Sequence, residues 1–313
     1  MTQVEVPARG LDARPRAGLG VRDSLGAYLY LLPALALYLV FFLYPFFRLV
    51  QLSLYEWNGI SPRVFVGLDN YLRMLDDRLF WVAFRNNIAW TLAAMFVPVF
   101  IGLMLAILLV RTPLHGRTLF RTVYFMPQVL SSVVVAIIWR WIYNPAFGAL
   151  NTFLRTVGLE DWEQGWLGEP ALAMPAIFIA WTWVYYGFTM VIFIAALQGI
   201  EETYFDAAKI DGASAWQQFW HVLLPFIRGP LATVVLISII TAFQVFDLVF
   251  ILTRGGPANV TLVLPMYLYQ QAFEFERIGY GAAISVVLGA VILGLSLIFL
   301  QRQRLLDESE GLA

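Results

Sequence analysis

The chain has 313 residues, 60% of them hydrophobic and 13% charged, with a mean hydropathy of +0.74. A soluble globular domain carries about 25% charged residues, so this balance excludes one and describes a polytopic membrane protein. The absence of cysteine excludes disulfides and thiolate metal sites, and a net charge of −1 gives no reason to expect a nucleic-acid partner.

Residues 1–26 are polar and hold Arg9, Arg14, Arg16 and Arg22 among several Gly and Pro, which reads as a flexible cytoplasmic tail. It does not read as a cleavable signal peptide, because the first apolar stretch starts late and is expected to run long enough to cross a hydrocarbon core of about 30 Å. Six apolar segments follow, at 27–49, 87–110, 120–142, 172–197, 230–252 and 279–300. The expected fold class is therefore all-α integral membrane, with a six-span domain over 27–300 and a C-terminal cytoplasmic tail over 301–313. Pro33 and Pro45 in the first span and Pro98 in the second predict kinks, which neighbouring helices tolerate in a bilayer.

Orientation follows the arginines of the short loops. The loop between spans 2 and 3 has Arg111, Arg117 and Arg121 and no acid, and the C-terminus adds Arg302 and Arg304. The 143–171 loop has Arg155 against Glu160, Asp161, Glu163 and Glu169. Both termini are thus expected in the cytoplasm, in a multi-pass protein of the inner (cytoplasmic) membrane whose solvent is membrane lipid. The outer loops are aromatic, with Tyr55, Trp57, Tyr71, Phe80 and Trp81 in the first and Phe147, Trp162 and Trp166 in the second. Such residues favour the headgroup level, and contact with an external partner is the other possibility. The stretch from Gly67 reads as a short surface helix leading into span 2.

Residues 199–226, between spans 4 and 5, are too polar to cross a bilayer. They read as two short helices around a bend. The first covers about 201–210 and stops at Gly212, a residue able to take the left-handed conformation that ends a helix. The second opens on Ser214 and Gln217, the S-x-x-Q spacing of a capping box. Trp216, Phe219, Trp220, Leu223 and Leu224 then recur at helical spacing as one apolar face, and Pro225 is expected to end the helix.

Within the spans, Trp181, Trp183, Tyr185, Tyr186 and Gly187 cluster in span 4, and Gln244 and Asp247 stand in span 5. Aromatic faces stack on the C–H faces of sugar rings, while amides and carboxylates take hydroxyls. Trp181, Tyr185, Tyr186, Gln244 and Asp247 are thus candidates for a solute path, with plain helix packing the alternative for the aromatics. An ionisable residue inside a membrane usually faces a cavity or a partner. For Asp247 the other possibility is a structural hydrogen bond or an ion pair with Arg254. No nucleophile, general-acid pair or metal constellation appears, His115 and His221 lie far apart, and no G-x-x-x-x-G-K-S/T loop is present to bind ATP. The chain does not read as an enzyme, and no cofactor of its own is expected.

The motif D-A-A-x-x-D-G-A followed by F-x-x-x-x-L-P resembles the cytoplasmic "EAA" loop of binding-protein-dependent ABC importer permeases. Asp206, Ala207 and Ala208 match the E-A-A triplet, Asp211 and Gly212 the D-G, and Leu224 and Pro225 the closing L-P. Asp206 departs from the usual Glu, keeping the charge but losing a methylene of reach. Further matches are similar to the carbohydrate branch: G-L-D-N-Y from Gly67, F-R-T-V-Y-F-M-P from Phe120, W-R-W-I-Y-N-P-A-F-G from Trp139 and L-T-R-G-G-P from Leu252. Their order over roughly 27–300 resembles the first permease of maltose and glycerol-3-phosphate systems.

The resemblance implies the type I ABC importer permease fold, with 199–226 as the coupling loop that seats in an ATPase. Glu202, Asp206, Ala207, Ala208, Asp211, Gly212, Phe219, Leu224 and Pro225 are its expected ATPase-coupling residues. It implies a second homologous permease, two ATP-binding subunits that hold ATP and Mg, and an extracytoplasmic solute-binding protein. The implied cargo is a mono- or oligosaccharide, with a polyol, glycerol phosphate or other small solute as alternatives. An ion-coupled carrier or a membrane enzyme would need more buried ionisable groups than the spans hold.

Overall fold

The computed structural model describes the backbone of residues 21–310 and the side chains of residues 30–303. Arg9, Arg14 and Arg16 lie outside the described residues, as do the side chains of Arg22 and Arg304. The chain divides into two units, 1–49 and 50–313.

In the first unit, helix α1 (Val21–Tyr38) begins six residues ahead of the expected span and passes through a π-helical turn, Leu39–Leu43, into α2 (Tyr44–Leu52). The Tyr44 N–H donates to the Leu39 carbonyl five residues back, immediately ahead of Pro45, whose ring offers no donor. Where the sequence predicts a kink at Pro45, the structure has this π-helical turn.

The second unit is organised around α4 (Arg78–Arg111), 34 residues and about 51 Å long at 1.5 Å per residue. Asp77 caps it, its carboxylate accepting from the backbone N–H groups of Leu79 and Phe80 at 2.9 and 3.3 Å. The helix packs along α8 (Pro170–Gln198) and against α12 (Arg228–Phe243). At the α4–α8 crossing, Gly102 leaves room for the Thr189 side chain, whose hydroxyl donates to the Pro98 carbonyl at 2.9 Å. A Cβ on Gly102 would occupy the place of the Thr189 hydroxyl.

The third predicted span is not straight. Helices α5 (Arg117–Val129) and α6 (Ser132–Ile142) meet at 100° across Leu130 and Ser131, and Ser131 caps α6 by accepting from the Val134 N–H. Among the described residues, five helices are long and apolar enough to cross a membrane, and six if the bent pair is one span. Span 5 is interrupted as well. After α12, residues 244–246 leave the helix before α13 (Asp247–Leu252) resumes.

At the Asp77 end of α4, two short strands, β1 (Tyr55–Glu56) and β2 (Val64–Phe65), pair antiparallel with Tyr55 opposite Phe65. Helix α3 (Asp69–Asp76) follows as the expected surface helix, and its Asn70 amide donates to the Ser53 and Tyr55 carbonyls at 2.9 and 3.0 Å. In the 143–171 connection, α7 (Ala149–Thr156) carries Arg155, which grips Glu163 in a bidentate pair at 2.9 and 2.7 Å.

The buried side chains form two clusters. One gathers Trp90, Ile177, Val249, Leu262, Met266 and Ile284 toward the Asp77 end, including residues of α14 (Leu264–Tyr269) and α15 (Ile278–Glu310). The other gathers Leu103, Met190, Phe193 and Leu197 with Phe205, Leu223 and Ile227, so the 199–226 segment shares the core of the spans. Helix α15 runs on to Glu310, and residues 301–310 continue the last span as helix.

Candidate functional site

The polar segment folds as the predicted helix pair. Helix α9 (Glu202–Ile210) closes in a Schellman arrangement: Ala213 N–H donates to Ala208 O at 2.9 Å and Gly212 N–H to Lys209 O at 3.0 Å, with Gly212 at φ +76°. No heavy atom lies within 4 Å of where a Gly212 Cβ would stand, so glycine answers here to backbone conformation and not to space. Helix α10 (Ala215–Gln218) opens with the complete capping box. The Ser214 hydroxyl accepts from Gln217 N–H at 3.3 Å, and the Gln217 side chain accepts from Ser214 N–H at 2.8 Å.

Two expectations need correction. Pro225 does not end the second helix. A π-helical turn, Phe219–Leu223, leads into α11 (Leu224–Phe226) with Pro225 in its first turn, and the helical run stops at Ile227. The Leu224 N–H reaches back to Phe219 O, the same wide turn that precedes Pro45, and it lets a residue without an N–H sit inside the run. Nor is the predicted apolar face buried as one. Leu223 is buried and Phe219 and Leu224 half-buried, while Trp216 and Trp220 are 68% and 47% exposed.

The pair therefore has a fixed side and an open side. Phe205, Leu223 and Ile227 lock it into the core, and the Arg111 guanidinium at the end of α4 lies over the Phe205 ring, 3.2 Å from its centroid. Glu202, Asp206, Ala207, Asp211 and Gly212 are exposed, and Asp206 pairs with Lys209 at 2.9 Å. Ile210, 86% exposed at the tip, belongs to the open side and carried no motif to single it out.

Of the solute-path candidates, Trp181, Tyr185, Gln244 and Asp247 meet where the two broken helices face each other. A cavity of about 370 Å³ is lined by Gln128 of α5, Ser132 of α6, Trp181 and Tyr185 of α8, and Thr241, Gln244 and Asp247 around the α12–α13 break. Trp181 and Tyr185 stack with centroids 4.6 Å apart and planes at 13°. The Ser132 hydroxyl donates to Asp247 Oδ2 at 2.5 Å, joining the two breaks. Arg254 does not pair with Asp247 and lies over the Phe250 ring instead, at 5.4 Å. The Gln128 Oε1 is buried without a hydrogen-bond partner, and Gln128, Ser132 and Thr241 are the polar lining residues that the sequence did not mark. Interrupted helices of this kind occur at membrane depth where backbone lines a cavity or is buried in protein.

The other aromatics of the span 4 cluster lie outside the cavity. Tyr186 does not line the cavity, and Trp183 packs edge-on against Trp139 at 5.9 Å. Gly187 brings α8 against α5, where a Cβ would come within 2.7 Å of the Tyr124 carbonyl.

Span-length helices, two of them broken around a cavity, and a helix pair locked to their end define a transport permease. The chain belongs to the family of binding-protein-dependent transport system inner membrane components, whose model matches residues 98–309. It is 37% identical over 278 residues to a probable ABC transporter permease of Bacillus subtilis, YurN, covering 88% of this chain and 95% of that one. It is 35% identical to the lactose transport system permease LacF of Rhizobium radiobacter, covering 91% and 96%. The diacetylchitobiose uptake permease NgcF of Streptomyces coelicolor is also 35% identical, over 98% and 90%. Among solved structures, a bacterial ABC transporter for the acidic polysaccharide alginate shares the fold, with a TM-score of 0.75 at 23% identity over 90% of this chain and 96% of that one.

Proposed function

We propose that this chain is one of two related permease subunits of an ATP-driven importer, and that its cargo is a mono- or oligosaccharide handed over by an extracytoplasmic binding protein. One observation carries the choice of cargo. The cavity at the two helix breaks combines a stacked aromatic pair with amide, hydroxyl and carboxylate groups, the surface that a sugar's C–H faces and hydroxyls need. A glycerol phosphate fits it less well, because Asp247 is the one acidic or basic side chain in the lining and its carboxylate repels a phosphate. The named cargoes of LacF and NgcF, lactose and diacetylchitobiose, favour the same class.

The open side of the helix pair is the surface for a partner ATPase. Glu202, Asp206, Ala207, Ala208, Asp211 and Gly212 meet it, while Phe219, Leu224 and Pro225 set how the pair joins span 5. ATP, with Mg, closes the two ATPase subunits. The pair then moves as a body, because Phe205, Leu223 and Ile227 tie it to α4, α8 and α12. The cavity opens alternately to either side as the spans carrying its walls rock. In this account both termini and the helix pair are cytoplasmic, in line with Arg111, Arg117 and Arg121 on the adjoining loop.

The test is uptake of labelled disaccharides into proteoliposomes holding the whole transporter and its binding protein. Uptake that needs enclosed ATP and ignores ionophores is the expected result. Uptake that follows an imposed proton or sodium gradient without ATP would overturn it.

A further inference from the structure

A groove follows α4 from the hydrocarbon interior down to the helix pair. Phe100, Met104, Ile107 and Arg111, spaced i, i+4, i+7 and i+11 on one helix face, line it together with Phe205, Trp216 and Trp220, around a volume of about 770 Å³. Its walls are apolar except at the lower end, where the only charged side chains in the lining, Arg111 and Lys209, stand. Lys209 is paired with Asp206. Arg111 is half-buried over Phe205, and its buried Nη2 has no hydrogen-bond partner. Glu202 and Asp206 of α9 act on it electrostatically, and neither forms an ion pair with it among the described residues.

The depth of the groove restricts what fills it. Phe100 stands about 16 Å above Arg111 along the helix, roughly half of a hydrocarbon core of about 30 Å. A protein docking from outside the bilayer does not reach that level, whereas an acyl chain of one leaflet does. Trp216 and Trp220 are exposed beside the groove, and indole rings favour the headgroup level. A guanidinium with unused donors is suited to two oxygens of one phosphate. We propose that the groove holds an acyl chain of an anionic phospholipid, with the lipid phosphate seated on Arg111.

The proposal requires only that α4 span the bilayer, so it stands or falls separately from the identity of the cargo. The assembled transporter is reconstituted in phosphatidylcholine vesicles carrying equal fractions of chain-brominated phosphatidylglycerol or chain-brominated phosphatidylcholine. The signal is the fluorescence quenching lost when Trp216→Phe and Trp220→Phe are introduced together. The anionic lipid is expected to occupy the groove about five-fold more readily, the weight of one basic residue at a membrane surface. Arg111→Gln should erase the preference, and Arg111→Lys should keep it. Since Arg111→Gln also removes the contact with Phe205, raised salt on the wild type gives an independent check and should reduce the preference. No quenching by either lipid, meaning that a protein segment covers the groove, would overturn the proposal. So would equal quenching by both lipids, unchanged by salt and by Arg111→Gln.

Discussion

Asp247 is the residue on which the cavity turns. It stands at the restart of a broken helix, and the Ser132 hydroxyl holds it from the facing break. A hydrogen bond to a charged group is worth about 1.5–3 kcal/mol, so Asp247→Ala should lower sugar uptake by about 10- to 100-fold while the subunits still assemble. Uptake assays alongside gel filtration of the complex check this, and unchanged uptake would remove Asp247 from the path. Asp77 at the other end of α4 makes a different prediction. Burial acts to raise its pKa, but hydrogen bonds from the Tyr267 and Tyr280 hydroxyls and the Phe80 and Leu79 N–H groups outweigh it, holding the carboxyl below its ordinary value of 3.8. A depressed pKa contributes stability that is present above the ordinary value and lost as pH falls through the lowered one. The thermal unfolding midpoint in detergent should therefore drop as pH falls below 3.8 and through the lowered value, and Asp77→Asn should flatten the fall.

At this scale the sequence marked Trp181, Tyr185, Gln244 and Asp247, because an ionisable or amide group among apolar neighbours stands out. It left Gln128, Ser132 and Thr241 unmarked, since what gathers them is the bend between α5 and α6 and the break after α12, and both are tertiary. Tyr186 was marked for its type alone. Trp181, Val184 and Tyr185 share the face of α8 that lines the cavity, and Tyr186 points about 100° beyond Tyr185, away from that face.

Among the elements, the helix pair was the most legible, because capping and glycine chemistry are local. Ser214 with Gln217 and Gly212 with its positive φ behave as their spacing requires. Gly212→Val should cost about 1–2 kcal/mol from the left-handed conformation alone, as its Cβ would meet nothing. The expected outcome is retained ATPase activity with transport lost, read side by side in proteoliposomes, and Gly212→Asn should be milder. Normal transport in the valine variant would deny the pair its role as a rigid transmitter. Breaks in long apolar runs were less legible. Hydropathy averages over the two or three residues at Leu130–Ser131 and 244–246 where the helices part, and the pairing of the two breaks across the cavity is tertiary. Pro225 misled differently, since a proline announces a missing N–H but does not say whether a stop or a π turn absorbs it.

For the whole molecule, two ends with different tasks emerge from one long helix. Toward Asp77, loops, short strands and the tyrosine hydroxyls close the structure. Toward Arg111, the spans' own core continues into a helix pair with an open, acidic and glycine-bearing side. A carrier that worked alone would have no use for that side. The most direct measurement is gentle detergent purification of the chain from its native membrane, with identification of what co-elutes. The account predicts a P-loop ATPase and a second six-span permease, with the ATPase lost when Asp211 and Gly212 are changed together to Arg and Val. A chain that purifies alone in several mild detergents, or an ATPase retained undiminished by the double variant, would contradict it.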